Sequence, residues 1–373
     1  MKKRLIKFGD VTFDREAKLH VNEILATGKN TEGKYVEKFE KAFAEKFGFE
    51  YAIATSSGTT ANEVVWMAIA NSLGLRWSEG VVITPVLAFG STANSILRAG
   101  RSLQFIDIAS DLNMQVPISY KSMSFGVQFV LTMGRTSGLK EIRQFTSRHG
   151  LFLVLDACEG LGASYYDNGI ATYCDAATYS FYPAHISTVG GEAGIIATNN
   201  AALALLCRSI KSHGRPAGSI EHRFQHIGTN AKTTEIVAAC GLAALKKHDK
   251  VFARRRKIRN GLLERLTEFP VMLFPDAENE TIAPHAFPIV TSARSFARFK
   301  EHLENWQIEF KPLWGALTDH PAFAEFKAPA DRFPVADTIG SGGLHFGCHE
   351  GMSDDDLDYI HDVFKAFRWG LTW

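Results

Sequence analysis

Short apolar segments that alternate with helical segments constrain the fold of this chain more than any other feature of its sequence. Apolar residues at helical spacing predict helices over Asp14–Ala26 and Gly33–Phe47. The apolar segments are brief and bounded by turn-forming residues, which is typical of buried strands. They are Tyr51–Ala54, Val81–Thr84, Gln104–Ile108, Gln128–Thr132, Phe152–Leu155 and Ile195–Thr198. This alternation predicts an α/β fold with a mostly parallel sheet covered on both faces by helices.

The second half of the chain departs from this alternation. The predicted helices there are Ala201–Ser212, Thr234–Lys247, Val251–Leu266, Ser295–Asn305 and Asp354–Phe367, with a strand region over Phe269–Ser292. Because helices and strands segregate differently here, we expect a large domain over residues 1–247 and a small α+β domain over residues 248–373. One helix is very basic, and we interpret it as a solvated link between the domains in preference to a functional patch. Its charges are Arg254, Arg255, Arg256, Lys257 and Arg259.

Composition and charge argue against several classes of partner. With 41 basic and 40 acidic residues the net charge is +1, which gives no reason to expect nucleic acid or an acidic membrane as a partner. Five widely spaced cysteines favour reduced thiols over disulfides, a zinc cluster or an iron–sulfur cluster, so we expect no metal. The N-terminus lacks the apolar core of a signal peptide, and no stretch of about 18 apolar residues occurs. The expected location is the cytoplasm.

Ligands of open α/β sheets bind at the carboxyl ends of the strands, so the residues that follow each strand are the first candidates for a site. Ser57, Gly58 and Thr59 follow the first predicted strand and open a helical pattern. Backbone N–H groups at a helix N-terminus bind phosphate, although a plain helix cap explains the same residues.

Two more strands are followed by residues that suit a planar ligand. Phe89 follows the second strand and could cover a ring, although a core phenylalanine is the simpler interpretation. Asp156 ends a strongly apolar strand, where a carboxylate needs a partner such as a protonated heterocyclic nitrogen. An aspartate that caps the next turn is an equally good interpretation.

The segment from Ser180 to Gly194 is the most informative in the chain. It runs Ser180-Phe181-Tyr182-Pro183-Ala184-His185 and continues into a glycine-rich bend. A lone histidine is usually a structural residue. Here His185 stands between an aromatic–proline turn and that bend, which is unusual.

These four segments, in this order, resemble the DegT/DnrJ/EryC1/StrS family of sugar-nucleotide aminotransferases. The resemblance extends from about Phe8 to the C-terminus and is strongest over residues 30–245. The family pattern runs S-S-G-T-x-A, P-x-x-x-F, a strand that ends in Asp, S-F-x-P-x-K, and a later motif that appears here as Gly228–Glu235. The resemblance implies a fold type I transferase dependent on pyridoxal phosphate, with a seven-stranded sheet, and a homodimer with shared active sites.

The resemblance also assigns roles at matching positions. Ser57, Gly58 and Thr59 would hold the cofactor phosphate, the last two through backbone N–H groups, and Ser180 would add its hydroxyl. The remaining assignments concern the ring and the neighbouring subunit: they are Phe89 stacked on the pyridine, Asp156 paired with the pyridine nitrogen, and Asn230 directed to the phosphate of the other subunit.

At position 185 the family has the lysine that bonds covalently to the cofactor, whereas this chain has His185. A histidine here is the mark of a smaller branch, the sugar-nucleotide 3-dehydratases of 3,6-dideoxyhexose biosynthesis, which serve pathways such as that of O-antigen lipopolysaccharide. The nearest lysine downstream, Lys211, is inside a predicted helix.

The replacement implies a change of reaction. Imidazole forms no stable imine, so the cofactor would be held noncovalently as pyridoxamine phosphate. His185 could take the C4′ proton as general base and protonate the sugar C3 hydroxyl as general acid. The product would be a 3-deoxy-4-keto sugar, with glutamate as the amino donor that restores the cofactor. The expected substrate is a nucleotide-linked 4-keto-6-deoxyhexose similar to GDP-4-keto-6-deoxymannose.

Several assignments stay open on the sequence. Glu159 could be a second acid, a partner of the cofactor hydroxyl or a structural residue. His213, Lys232 and Lys311 lie in regions expected to bind the sugar nucleotide, and these regions depart from the family pattern, since lysine replaces the usual arginine at the last two positions. Two rival functions also remain: an aminotransferase-like enzyme with another outcome, and a non-catalytic relative that binds nucleotide sugar.

Overall fold

The computed structural model describes residues 2–216, 223–328 and 331–369. Its strands are β1 (Tyr51–Thr55), β2 (Val81–Pro85), β3 (Ser102–Ile106), β4 (Ser124–Val130), β5 (Phe152–Asp156), β6 (Ser164–Tyr165), β7 (Asn168–Gly169), β8 (Ala176–Ser180), β9 (Gly194–Thr198), β10 (Glu280–Thr281), β11 (Ala286–Val290), β12 (Phe310–Pro312) and β13 (Gly343–Gly347). Its helices are α1 (Arg15–Thr27), α2 (Lys34–Phe47), α3 (Gly58–Ser72), α4 (Gly90–Arg98), α5 (Leu139–His149), α6 (Ala201–Ile210), α7 (Glu235–Leu266), α8 (Ala293–Asn305), α9 (Pro334–Gly342) and α10 (Asp354–Ala366).

A seven-stranded sheet in the order β1-β9-β8-β5-β4-β2-β3 forms the centre of the molecule. The pairs β2–β3, β2–β4, β4–β5 and β5–β8 are parallel, and only the two pairs made by β9 are antiparallel. Because β1 and β8 both run opposite to β9, the other six strands all share one direction. The carboxyl ends of β1, β2, β5 and β8 therefore meet at one edge, where the expected site residues follow them. The expectation of an α/β fold with a mostly parallel sheet is confirmed.

A three-stranded antiparallel sheet, β11-β13-β12, forms the second part of the structure. It shares a hydrophobic cluster with α8 and α10, and Phe299, Phe346 and Phe364 are fully buried in that cluster. This is the small α+β unit that we propose as a separate domain. In the part of the chain that the structure describes, no helix combines the length and the apolar character needed to cross a membrane.

One long helix joins the two parts. We expected two helices, Thr234–Lys247 and Val251–Leu266, but α7 is a single helix of 32 residues that begins after the cap of Thr234. The charged segment between them is held in the helix by tertiary contacts. Lys247 pairs with Asp14 at 2.7 Å, and buried His248 shares a hydrogen bond with the Ser187 hydroxyl. The boundary that we propose between residues 247 and 248 therefore lies within α7.

The basic run of α7 is not the solvated face that we expected. Arg255 is 1% exposed and Arg259 is 5% exposed. The guanidinium of Arg255 donates to the carbonyl oxygens of Ala184 (3.2 Å) and His185 (3.1 Å), and it pairs with the Glu350 carboxylate at 3.0 Å. The helix thus supports the backbone that carries His185.

We expect the variant Arg255→Met to lower the free energy of unfolding by about 1–3 kcal/mol, because the carbonyl groups of Ala184 and His185 lose their donor. Urea denaturation measures this difference. Arg265→Met on the same helix is the matched control, since Arg265 makes an ion pair with the well-exposed Asp358, and its loss should cost at most about 1 kcal/mol. Equal destabilisation by both variants would contradict the supporting role of Arg255.

Candidate active site

A cavity of about 620 Å³ opens at the carboxyl edge of the large sheet and is closed on the other side by the small sheet. Most of the side chains that the sequence singled out line this cavity. They are Ser57, Gly58, Thr59, Phe89, Asp156, Glu159, Ser180, His185 and Lys311.

The N-terminus of α3 forms one wall of the cavity. The Ser57 hydroxyl accepts a hydrogen bond from Thr60 N, and Thr60 Oγ1 accepts one from Ser57 N, so the Ser57 side chain serves the helix cap. Gly58 and Thr59 are the first residues of the helix, where no preceding turn supplies acceptors for the backbone N–H groups. These donors suit an anion. A Cβ atom at position 58 would lie 2.6 Å from Cys158 Sγ and 2.9 Å from Ser180 Cβ, so only glycine fits there.

Asp156 is a buried carboxylate held by polar side chains from neighbouring elements. Its Oδ2 atom accepts hydrogen bonds from Asn62 Nδ2 and Thr92 Oγ1, each at 2.9 Å, and a longer one from Gln128 Nε2 at 3.4 Å. Its Oδ1 atom accepts a weak hydrogen bond from Cys158 N at 3.3 Å. Asp156 therefore keeps an acceptor for a further N–H group, as a protonated ring nitrogen would require.

Aromatic side chains border the cavity. Phe89 is 61% exposed at the start of α4, so it is not a core residue. Its ring centroid lies 6.2 Å from that of Trp314, which lines the cavity from the small-domain side. Flat apolar surfaces of this kind can cover a planar ring.

His185 is held in one tautomer. Its Nδ1 atom lies 3.0 Å from the Ser180 carbonyl oxygen, which can only accept a hydrogen bond, so Nδ1 carries the proton. In the neutral ring Nε2 is then a free acceptor. Burial lowers the pKa of His185 to about 4, and the positive charges of Arg255 and Lys311 act in the same direction, against the hydrogen bond to Ser180. His185 is a neutral base at physiological pH.

Glu159 has the opposite character. Burial raises the pKa of its carboxyl to about 8, with a smaller contribution from the Asp156 charge. Hydrogen bonding from Met133 N to Oε2, at 2.7 Å, and the charge of Lys311 lower it only in part. Glu159 is therefore protonated at neutral pH. The pKa of His185 is lowered and the pKa of Glu159 is raised, so at neutral pH the cavity holds one group that can accept a proton and one that can donate a proton.

The predicted substrate-binding residues are divided between two places. Lys311 lines the cavity. Asn230, Lys232 and His213 instead form a more exposed cluster, in which Lys232 Nζ lies 2.6 Å from Asn230 Oδ1 and 3.4 Å from His213 Nε2. This cluster adjoins the loop between β1 and α3, because Ser56 N donates a hydrogen bond to Ala231 O at 2.9 Å.

The region around the small sheet contributes cavity residues that the sequence analysis missed. They are His285, Trp314 and His345. Nothing in their local sequence marks them, since they face the cavity through the pairing of β11, β12 and β13, in which Lys311 lies opposite His345. Thr92 of α4 and Gln128 of β4, which donate hydrogen bonds to Asp156, were also missed.

Lys211, the nearest lysine downstream of His185, serves another purpose. It is buried, and its Nζ atom contacts Glu32 Oε1 at 2.5 Å and Ala54 O at 2.9 Å. It does not line the cavity, so it offers no substitute for the family lysine.

Comparison with known sequences identifies one family. The sequence model of the DegT/DnrJ/EryC1/StrS aminotransferase family matches residues 12–365. A dTDP-4-dehydro-2,6-dideoxy-D-glucose 3-dehydratase from Saccharopolyspora spinosa is 28% identical, over 90% of this chain and 80% of its own length. A UDP-4-amino-4,6-dideoxy-N-acetyl-beta-L-altrosamine transaminase from Campylobacter jejuni is 27% identical, over 89% of each chain.

Comparison with solved structures identifies the fold. The Escherichia coli GDP-4-keto-6-deoxy-D-mannose-3-dehydratase with bound hydrated PLP superposes with a TM-score of 0.87 at 22% identity, over 97% of this chain and 100% of that chain. The fold class expected from the sequence, that of the transferases dependent on pyridoxal phosphate, is confirmed.

We expect Gly58→Ala to weaken the binding of pyridoxal phosphate about tenfold or more, because the new methyl group overpacks the cradle by about 1–3 kcal/mol. Titration of the protein with the cofactor, followed by absorbance, measures the dissociation constant. Gly169→Ala is the matched control, since a Cβ there would meet only Phe47 O at 3.8 Å. Unchanged affinity in the Gly58 variant would show that phosphate does not bind here.

Proposed function

The chain belongs to the DegT/DnrJ/EryC1/StrS aminotransferase family, and from this premise we propose that it is a sugar-nucleotide 3-dehydratase that uses pyridoxamine phosphate. Its proposed substrate is a nucleotide-linked 4-keto-6-deoxyhexose, and its proposed product is the 3-deoxy-4-keto sugar. The observation that carries the proposal is His185, which stands at the position of the family lysine and lines the same cavity as Gly58, Asp156 and the other proposed cofactor-binding residues of this chain.

The residues of the cavity fit the cofactor. The N–H groups of Gly58 and Thr59, with the Ser180 hydroxyl, would hold its phosphate, and Asp156 Oδ1 would accept the hydrogen bond of its ring nitrogen. When bound, the cofactor supplies an amine that condenses with the 4-keto group and a ring that withdraws electrons from the neighbouring carbon.

His185 is the proposed base. Its Nε2 atom is unprotonated because Nδ1 donates to Ser180 O, so Nε2 is the atom that would accept a proton from the adduct of cofactor and substrate. A neutral imidazole at this point needs no prior proton loss at physiological pH. Arg255 holds the carbonyl groups of Ala184 and His185, which fixes the backbone from which the ring extends.

Glu159 is the proposed acid. A carboxyl group that stays protonated at neutral pH can give its proton to the C3 hydroxyl as that group leaves. Of the possible roles of Glu159, the raised pKa of its carboxyl favours that of an acid over a purely structural one. The two proton transfers are divided between His185 and Glu159.

The proposed partners follow from the same relatives and from the arrangement of the site. A nucleotide sugar is the substrate class in the names of both relatives given above. We propose glutamate as the amino donor, and a homodimer in which the exposed cluster of Asn230, Lys232 and His213 completes the site of the neighbouring subunit. We also keep the cytoplasm as the proposed location.

A second candidate function is amino transfer. One relative is a transaminase, and Lys311 lines the same cavity as His185, so a lysine amine is present although it comes from β12. Product analysis distinguishes the two functions. Ammonia and a 3-deoxy ketosugar indicate dehydration, a 4-amino sugar indicates transfer, and binding without turnover indicates a non-catalytic relative.

We expect His185→Asn to lower dehydration by at least about a hundredfold while pyridoxal phosphate still binds, because the amide has no basic nitrogen. Mass spectrometry of the sugar nucleotide after incubation with glutamate and cofactor measures the product. His149→Asn, at a surface site bonded to Tyr120, is the matched control and should retain full turnover. Undiminished dehydration in the His185 variant would refute the role of this residue as base.

We also expect kcat/KM to depend on pH in a bell-shaped manner. Activity should be lost below about pH 4, where His185 becomes protonated, and above about pH 8, where Glu159 loses its proton. Glu159→Gln should lower the rate about a hundredfold and remove the alkaline limb, since an amide does not ionise in this range. Glu192→Gln in the same cavity should keep the alkaline limb, and an alkaline limb that persists in the Glu159 variant would contradict the assignment.

A further inference from the structure

His285 stands among the acid and base groups of the cavity, immediately before β11. It is buried, and its ring centroid lies 4.7 Å from that of His185, with the two ring planes at 84°. Its Nε2 atom lies 3.5 Å from Glu159 Oε1. His285 therefore contacts the proposed base with its ring and the proposed acid with a nitrogen.

The hydrogen-bond partners of the pair indicate where the protons lie. Met133 N donates to Glu159 Oε2, so Oε1 is the oxygen that can carry the carboxyl proton. His285 Nδ1 is buried without a partner among the described residues. A buried N–H group without an acceptor is rarer in proteins than an acceptor without a donor, so the proton of the neutral ring belongs on Nε2, which faces Oε1.

We propose that His285 is a positioning residue for Glu159, whose Oε1 it holds through Nε2–H and whose carboxylate it stabilises once the proton has left. This inference rests on the proposed function, because it requires that Glu159 protonates the departing hydroxyl group. His285 lies outside the family motifs, so none of them assigns it a role.

The balance of the reaction shows when this contact acts. His185 Nε2 would accept one proton from the adduct of cofactor and substrate, and the electron pair left by that proton would be used to form the new double bond at C3 as the C3–O bond breaks. The Glu159 proton would go to the departing oxygen, which would leave as water. Glu159 thus acquires a negative charge in the transition state, where a fixed N–H donor is most effective. An N–H group 3.5 Å from Oε1 would stabilise the transition state, in which Glu159 carries charge, more than the ground state, in which Glu159 is neutral.

Other charges face the pair from several elements. The Asp156 carboxylate and the Lys311 ammonium group act on Glu159. Burial lowers the pKa of His285 well below its usual value, and His185, His345, Arg255 and Lys311 add to this effect. His285 therefore remains neutral at physiological pH and acts as a hydrogen-bond donor, not as a positive counter-charge.

The variant His285→Phe tests this proposal, since phenylalanine preserves the ring packed against His185 and removes only the donor. We expect kcat to fall about ten- to a hundredfold with KM within about twofold, which corresponds to a hydrogen bond to a charged group. We also expect the alkaline midpoint of kcat/KM to rise, because the Glu159 carboxylate loses a donor. His285→Gln, which retains an N–H donor, should recover part of the rate and lower the midpoint again.

His345→Phe is the matched control. His345 is a buried histidine of the same cavity whose ring contacts are Phe8 and Trp314, so this variant should leave the alkaline midpoint in place. A slower His285→Phe enzyme with an unmoved midpoint would overturn the proposal and leave a packing role only. Circular dichroism and cofactor titration check that each variant is folded, and His285→Gln provides the test if the phenylalanine variant is not.

The outcome also separates this inference from the proposed function. If Glu159→Gln removes the alkaline limb while His285→Phe leaves it unchanged, only the role of His285 fails. If the wild-type protein produces no 3-deoxy sugar, the proposed function fails and this inference fails with it.

Discussion

The hydrogen bond from His185 Nδ1 to the Ser180 carbonyl oxygen is the interaction on which the chemistry of the cavity depends. It closes the turn between the end of β8 and the histidine, and it fixes the proton on Nδ1, so Nε2 is left as the acceptor. The Arg255 guanidinium donates hydrogen bonds to two carbonyl oxygens of the same turn. At the position of the family lysine this chain therefore has an imidazole in a fixed tautomer, and we propose that it acts as the base.

Burial gives the base and the acid their protonation states. The same low-dielectric cavity lowers the pKa of His185 and raises that of Glu159, because it penalises the charged form of each. Both groups are neutral at physiological pH, so each of the two proposed proton transfers would create a charge. Lys311 and His285 of the proposed small domain line the cavity beside this pair, so both proposed domains would contribute to the acid–base chemistry.

The fold could be predicted from sequence where strands are apolar on both faces. The predicted ends of β1, β2 and β5 lie within one residue of the observed ends. Strand β8 was not predicted because its sequence, Ala-Ala-Thr-Tyr-Ser, is small and polar although every residue in it is buried. Strand β3 ends at Ile106, two residues before the predicted end at Ile108, because Ile108 forms a bridge with Met114 instead. Helix α7 was predicted as two helices because its charged middle is stabilised by tertiary contacts, which the local sequence pattern does not show.

The site residues that could be predicted from the sequence are those that come directly after strands of the large sheet. The rule that ligands bind at strand carboxyl ends located Gly58, Phe89 and Asp156, and the break in the lysine motif located His185. His285 and His345 could not be found in this way, because an antiparallel sheet far along the chain brings them to the cavity. The most direct test of noncovalent cofactor binding is borohydride reduction of the protein reconstituted with pyridoxal phosphate, followed by peptide mapping. We expect no covalent label on the chain, because His185 binds no aldehyde carbon, whereas label on Lys311 or any other lysine would contradict a noncovalent mechanism.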